Sequence, residues 1–176
     1  MLSYLDFINE ETLDEASLER FIQHMDKGDP FAIVSACRYG MSMGQKKSVT
    51  DKLRSEVLSA GFGFHKCVGG YVETQENGET REITDELSSI VYGTKETEKK
   101  LRTFAFELGV KYKQDSILWC GSDGKAMWRY TNNSQDFKGN FMRRGDYMPL
   151  GDFVPTRIGD YFSKIGKKHF TFKSID

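Results

Sequence analysis

The stretch Ala60–Gln75, AGFGFHKCVGGYVETQ, carries four glycines, three aromatic rings, a histidine, a cysteine and a glutamate. It lies between an amphipathic helical pattern and an Asn77-Gly78 turn signal, so it is expected to form a long, bent strand entering a hairpin. A phosphate-gripping glycine loop opens a helix after a strand. Here Gly61 closes a helix and Gly63 enters a strand, which makes the stretch a structural spine rather than a nucleotide loop.

Upstream, Val49, Leu53, Val57 and Leu58 give residues 48–60 a helical stripe, with Ser48 as N-cap and Asp51 at the third position. Before it, FAIVSA (residues 31–36) is a continuous apolar run bounded by Pro30, as expected of a central strand covered on both faces. Residues 37–48, CRYGMSMGQKKS, have no period and read as a loop. A capping box at Thr12 and Glu15 precedes Leu18, Phe21, Ile22 and Met25, predicting a helix over 13–26.

Downstream, residues 80–92 return as a strand, and Leu101, Phe104, Ala105 and Leu108 predict a helix over 95–108 ended by Gly109. Strands at 116–120 and 125–130 flank a Gly-Ser-Asp-Gly turn. Periodicity dissolves over 131–166, and His169-Phe170-Thr171-Phe172 alternates as an edge strand. The expectation is a single α+β domain over 1–176. It comprises a helical extension (1–30), an α/β core (31–130) with a mixed sheet of about five strands and three main helices, and a loop-rich part (131–176) ending in the edge strand.

With 176 residues, 38% hydrophobic, the chain is long enough for one real core. A net charge of -1 supplies no overall basic field that would demand nucleic acid. Residues 1–30 carry a net of -6 and residues 136–176 a net of +3, which suits attraction within one fold. Cys37, Cys67 and Cys120 are odd in number and widely spaced, so free thiols in a reducing compartment are expected. MLSYLDFINEETLDE has neither a basic n-region nor an apolar run; the expectation is a cytoplasmic protein with no membrane partner.

No catalytic or metal-binding signature stands out. His169-Phe170-Thr171 matches the His-x-Thr unit of two-histidine phosphoesterases, whose second unit would have to be His65-Lys66-Cys67, without the hydroxyl. His65, His169 and Thr171 are therefore only an alternative catalytic set. Gly40 to Gly44 with Lys46, Lys47 and Ser48 follows a strand and runs into a helix, the order an anion site requires, but lacks true P-loop spacing. Arg143, Arg144, Tyr147 and Arg157 interleave cations and rings as single-stranded nucleic-acid or partner surfaces do, diluted by Asp136, Asp146, Asp152 and Asp160.

Ser35-Ala36-x-Arg38, Gly69-x-Tyr71-x-Glu73, the 95–108 helix and Gln114-Asp115-Ser116 resemble an uncharacterised family of small bacterial and bacteriophage proteins, over residues 31–130. That resemblance implies a phage or mobile-element origin and carries no activity and no cofactor. Strand ends gather ligand sites, so Ser35, Arg38, Lys46, Lys47, Tyr71, Glu73, Gln114 and Asp115 are the expected ligand set, with an Arg38–Glu73 or Arg38–Asp115 bridge as the competing reading. The expected function is a phage-type accessory protein that binds a host protein or nucleotide ligand without catalysis. A nucleotide- or nucleic-acid-processing enzyme and a virion structural component are the alternatives.

Overall fold

The computed structural model describes residues 17–74, 77–136, 139–156 and 161–174. Helix α1 (residues 17–26) leads into β1 (Phe31–Ser35), α2 (Met43–Ser59), β2 (Gly63–Thr74) and β3 (Thr80–Tyr92). A single 3-10 turn then enters α3 (Glu98–Lys111), followed by β4 (Ser116–Cys120) and β5 (Ala126–Tyr130). The remainder is β6 (Ser134–Gln135), β7 (Phe141–Met142), β8 (Tyr147–Val154), β9 (Tyr161–Ile165) and β10 (Lys168–Ser174).

Eight of these strands close into an antiparallel barrel in the order β1-β3-β2-β9-β10-β8-β5-β4, and β4 pairs back onto β1. This overturns the mixed sheet of about five strands. Within the 60–75 stretch, Gly63–Thr74 forms the expected long strand, β2, and its glycines explain how it fits. A Cβ at Gly63 would stand 2.5 Å from the Tyr92 ring, and one at Gly70 would stand 2.3 Å from Phe162. Large rings from the neighbouring strands occupy the room that side chains there would need. The register with β3 shifts between Gly69 and Tyr71, which is the bend.

An eight-stranded barrel is just wide enough to be filled by its own side chains. Phe31, Cys67, Ile90, Leu118, Ala126, Leu150, Ile165, Phe170 and Phe172 form one buried cluster, joined by Phe21 from α1. Phe21 is wholly buried, 4.9 Å from the Phe31 ring and 5.3 Å from Phe170, so α1 packs at the barrel end where β1 starts. The alternate residues Ala32, Val34, Val91, Ile117 and Trp119 form a second cluster with Leu53 and Val57 of α2 and Leu101, Ala105 and Leu108 of α3. β1 is thus covered on both faces, as its unbroken apolar run required, by the barrel interior and by two helices.

The irregular C-terminal part is overturned too, because residues 131–174 contribute three barrel strands and the small β6–β7 hairpin. Terminal β10 pairs with both β9 and β8, so it is not an edge. Alternation in this region is masked by outward polar residues and glycines; Gly151, for example, faces the Lys173 carbonyl so closely that no Cβ fits.

Helix boundaries moved for local reasons. α2 begins at Met43 because Ser42 and Gln45 form a complete capping box, with Gln45 N donating to Ser42 Oγ at 3.2 Å and Ser42 N to Gln45 Oε1 at 2.8 Å. α3 runs past Gly109, whose missing side chain admits Thr131 Cγ2 and Ile117 Cγ2, 2.7 and 2.9 Å from where a Cβ would stand. Lys113, at φ 54°, takes the left-handed position after the helix. The expected start at residue 13 and its capping box lie outside the described residues. Among the described residues, no helix is long and apolar enough to cross a membrane.

Candidate functional site beside the overhanging hairpin

β1 pairs with β3 only from Phe31↔Tyr92 to Ser35↔Ser88, so the outer half of β3, residues 80–87, extends beyond it. The 36–42 loop and the start of α2 lie alongside this overhang and enclose a pocket of ≈ 320 Å³. Its walls bring Arg38 and Tyr39 from the loop together with Lys46 of α2, Tyr71 of β2, and Arg81 and Glu86 of β3.

Glu86 sits directly opposite Gly69, and its Oε2 lies 3.5 Å from where a Gly69 Cβ would stand. Burial pushes the Glu86 carboxyl up, while the Ser35 hydroxyl and the Lys46 ammonium pull the other way. A half-buried carboxyl of raised pKa in a cleft is a mark of a functional site. Its neighbour Asp85 is held below the usual carboxylate range by a hydrogen bond from Lys46, 2.9 Å away.

The loop is pinned from behind. Gln114 Nε2 donates to the Cys37 carbonyl at 2.9 Å, the Arg38 guanidinium donates to the Lys113 carbonyl, and Ser35 Oγ accepts from Cys37 N at 3.0 Å. Tyr39 is 82% exposed, with the Arg81 guanidinium 5.8 Å from its ring centroid. A clamp of this sort holds the pocket's rim while leaving its mouth to solvent.

Of the ligand set expected from sequence, Arg38, Lys46 and Tyr71 line the pocket, Ser35 lies beneath Glu86, and Gln114 holds the loop. Lys47 is exposed on α2 outside the lining. Asp115 is exposed, and its carbonyl accepts from Thr131 N and Asn132 N. Among the described residues Arg38 makes no ion pair with Asp115, and the Glu73 side chain lies outside the description, its backbone pairing with Arg81. Tyr39, Arg81 and Glu86 escaped sequence reading. The one signal for Glu86 was a carboxylate standing against the apolar end of its own strand, LSSIVY.

The histidines are not brought together. Val68 pairs with Lys164, and Lys164 with His169. His65 lies three residues further along β2, which separates the two backbones by roughly 14 Å at ordinary strand spacing and rise. His65 meets His24 and Tyr92, with ring centroids 5.8 and 5.1 Å away, and His169 packs on Phe162. Thr171 is buried and donates to the Tyr161 carbonyl. All three cysteines are unpaired, and burial pushes the Cys67 and Cys120 thiols up to about 12, unsuited to nucleophilic work. Arg143, Arg144 and Tyr147 lie at the turn into β8, apart from the pocket, and Arg157 lies outside the described residues.

A closed barrel flanked by two helices thus carries a mixed-charge, aromatic pocket beside an overhanging hairpin. Residues 32–173 match the model of the S-adenosylmethionine lyase family, and the chain belongs to that family. No curated protein matches the chain. Membership of a lyase family overturns the resemblance to an uncharacterised family, and the phage origin which that resemblance implied loses its support. It also overturns the non-catalytic accessory role and leaves the virion component without support. It favours the enzyme alternative, though not as a phosphoesterase.

Proposed function

We propose that this protein cleaves S-adenosylmethionine at a carbon–sulfur bond of the sulfonium, without adding water, in the pocket between β3 and the 36–42 loop. One observation carries the reading: within the span matched by the lyase family, the pocket sets two carboxylates, two tyrosines, two arginines and a lysine around one space, Asp85 being taken up by Lys46. A zwitterionic nucleoside sulfonium needs that combination. Arg38 and Arg81 meet the substrate carboxylate. Glu86 meets the ammonium, and Tyr39 and Tyr71 offer ring faces to the sulfonium and the adenine.

The chemistry asks little of a protein base, because a sulfonium is its own leaving group. When the substrate's carboxylate oxygen closes on the γ-carbon, the carbon–sulfur bond breaks and its electron pair goes to sulfur. A neutral thioether then leaves beside a five-membered lactone. Opposite charges vanish along this path, so holding the chain folded where little water intervenes is the main catalytic task. We also place the protein in the cytoplasm, a reading supported by three unpaired, buried thiols.

Incubating the purified protein with S-adenosylmethionine in heavy-oxygen water, with early products resolved by mass spectrometry, tests this. The expected products are methylthioadenosine and a lactone free of solvent oxygen. Absence of the thioether, or a rate indifferent to Arg81→Gln and Glu86→Gln, would sink the proposal.

A further inference from the structure

Phe106 projects from α3 toward β5, and two guanidiniums converge on its ring. The Arg129 Cζ is 4.9 Å and the Arg144 Cζ 5.7 Å from its centroid. Arg102 stands one helical turn before Phe106 on α3, close enough that its charge, after burial, helps to push the Arg129 guanidinium below its ordinary value. The ion pairs of the described residues are His24–Asp29, Lys46–Asp85 and Lys111–Glu56, and none of them involves Arg102, Arg129 or Arg144. Arg129 Nε is buried and makes no hydrogen bond.

Two guanidiniums on one ring with the charge of Arg102 nearby, and no ion pair to any of the three among the described residues, is a costly arrangement for a purely structural cluster. Like charges repel, and an unsatisfied buried donor carries a desolvation penalty. The cluster is also held in place from outside. Arg144 N donates to Asn133 Oδ1 at 3.0 Å, Gly145 N to the Tyr130 carbonyl at 2.8 Å, and Asp146 Oδ2 is already engaged by Arg143 N at 2.8 Å. Tyr147, opposite Arg129 across the β5–β8 ladder, adds an exposed ring.

We propose that Arg102, Arg129 and Arg144, assembled around Phe106 on the outer face of β5, form a binding site for a phosphate-type oxyanion. Guanidinium forks match phosphate oxygens two at a time, which a stacked and pre-oriented pair of arginines exploits at little ordering cost. The site belongs to α3, β5 and the turn into β8, whereas the pocket belongs to β2, β3 and α2, so it stands whether or not the lyase reading does.

Isothermal titration of the full-length protein at low salt tests it, with inorganic pyrophosphate in one arm and a single-stranded oligodeoxynucleotide in the other. Saturable binding is expected in at least one arm, weakened by rising salt and weakened about tenfold or more by Arg144→Gln. Arg144→Lys keeps the charge without the fork and should fall between the two. Pyrophosphate alone would mark a small free anion, and the oligonucleotide a nucleic-acid backbone. Arg144 is exposed, so the test survives if the half-buried Arg129→Gln fails to fold. No saturable binding in either arm, or binding lost on Arg38→Gln but unchanged by Arg144→Gln, would overturn the site.

Discussion

The two halves of the β2–β3 hairpin use the same ladder for opposite ends. In the inner half, Cys67 and Ile90 sit inside the barrel while Val91 lies under the helices, so both faces are dry. In the outer half β1 has ended, and the strand sequence turns from SSIVY to TREITDE. The inner half holds the barrel together, and the outer half lines the pocket with Tyr71, Arg81 and Glu86. The loss of one neighbouring strand separates core from site.

The inner half should yield the largest stability effect. Phe170→Ala, at a position with no exposure in the same interior cluster, should cost about 3–5 kcal/mol in denaturant unfolding, since the barrel cannot collapse around the missing ring. A loss under about 1 kcal/mol would mean the interior is not close-packed. Glu86→Gln on the outer half should do the reverse, removing about 1.5–3 kcal/mol of substrate interaction, or roughly 10–150-fold in kcat/KM, while the fold survives. Burial raises the Glu86 carboxyl, so the folded state holds its proton to higher pH than the unfolded state does. Its favourable contribution is present below the unfolded value and lost as pH rises through the folded one. Thermal unfolding of Glu86→Gln should therefore lack that loss on going from acid to neutral pH.

Ser42→Ala removes one half of the capping box that orients the pocket loop, and should cost about 1 kcal/mol by denaturant midpoint. On the inner side, burial first and then the nearby charges of His24 and Arg20 lower the His65 pKa, and its Nε2 lacks a partner. A lowered histidine contributes stability above its unfolded value, 6.5, that is lost as pH falls below it. His65→Phe should flatten that acid-side decline in melting temperature. Lys111→Ala breaks an ion pair with Glu56 whose lysine is 52% exposed, and should change stability by about 0.5 kcal/mol or less.

Local signals were readable where a single segment decided them. The Asn77-Gly78 turn, the double-covered run at residues 31–35 and the length of β2 all followed from side-chain type and spacing. Closure was not readable. The pairing of β4 with β1 and of β10 with β8 depends on partners distant in sequence, and glycines such as Gly151 and Gly70 hide the alternation because a neighbouring strand or ring fills their place. The site was half readable for the same reason. Arg38, Lys46 and Tyr71 were singled out as polar residues at strand ends and in the loop, whereas Glu86 looks like any strand carboxylate until Gly69 is set opposite it.

By itself, then, the sequence determined that residues 60–75 would be a strand bent at glycines and followed by a tight turn, because backbone freedom and turn chemistry act within a few residues. Only the tertiary structure decided that this strand closes a barrel, that Gly70 makes room for Phe162, and that the hairpin's overhang becomes a pocket. Those outcomes depend on which surfaces meet, and burial, which sets both the core and the Glu86 carboxyl, exists only once they have met.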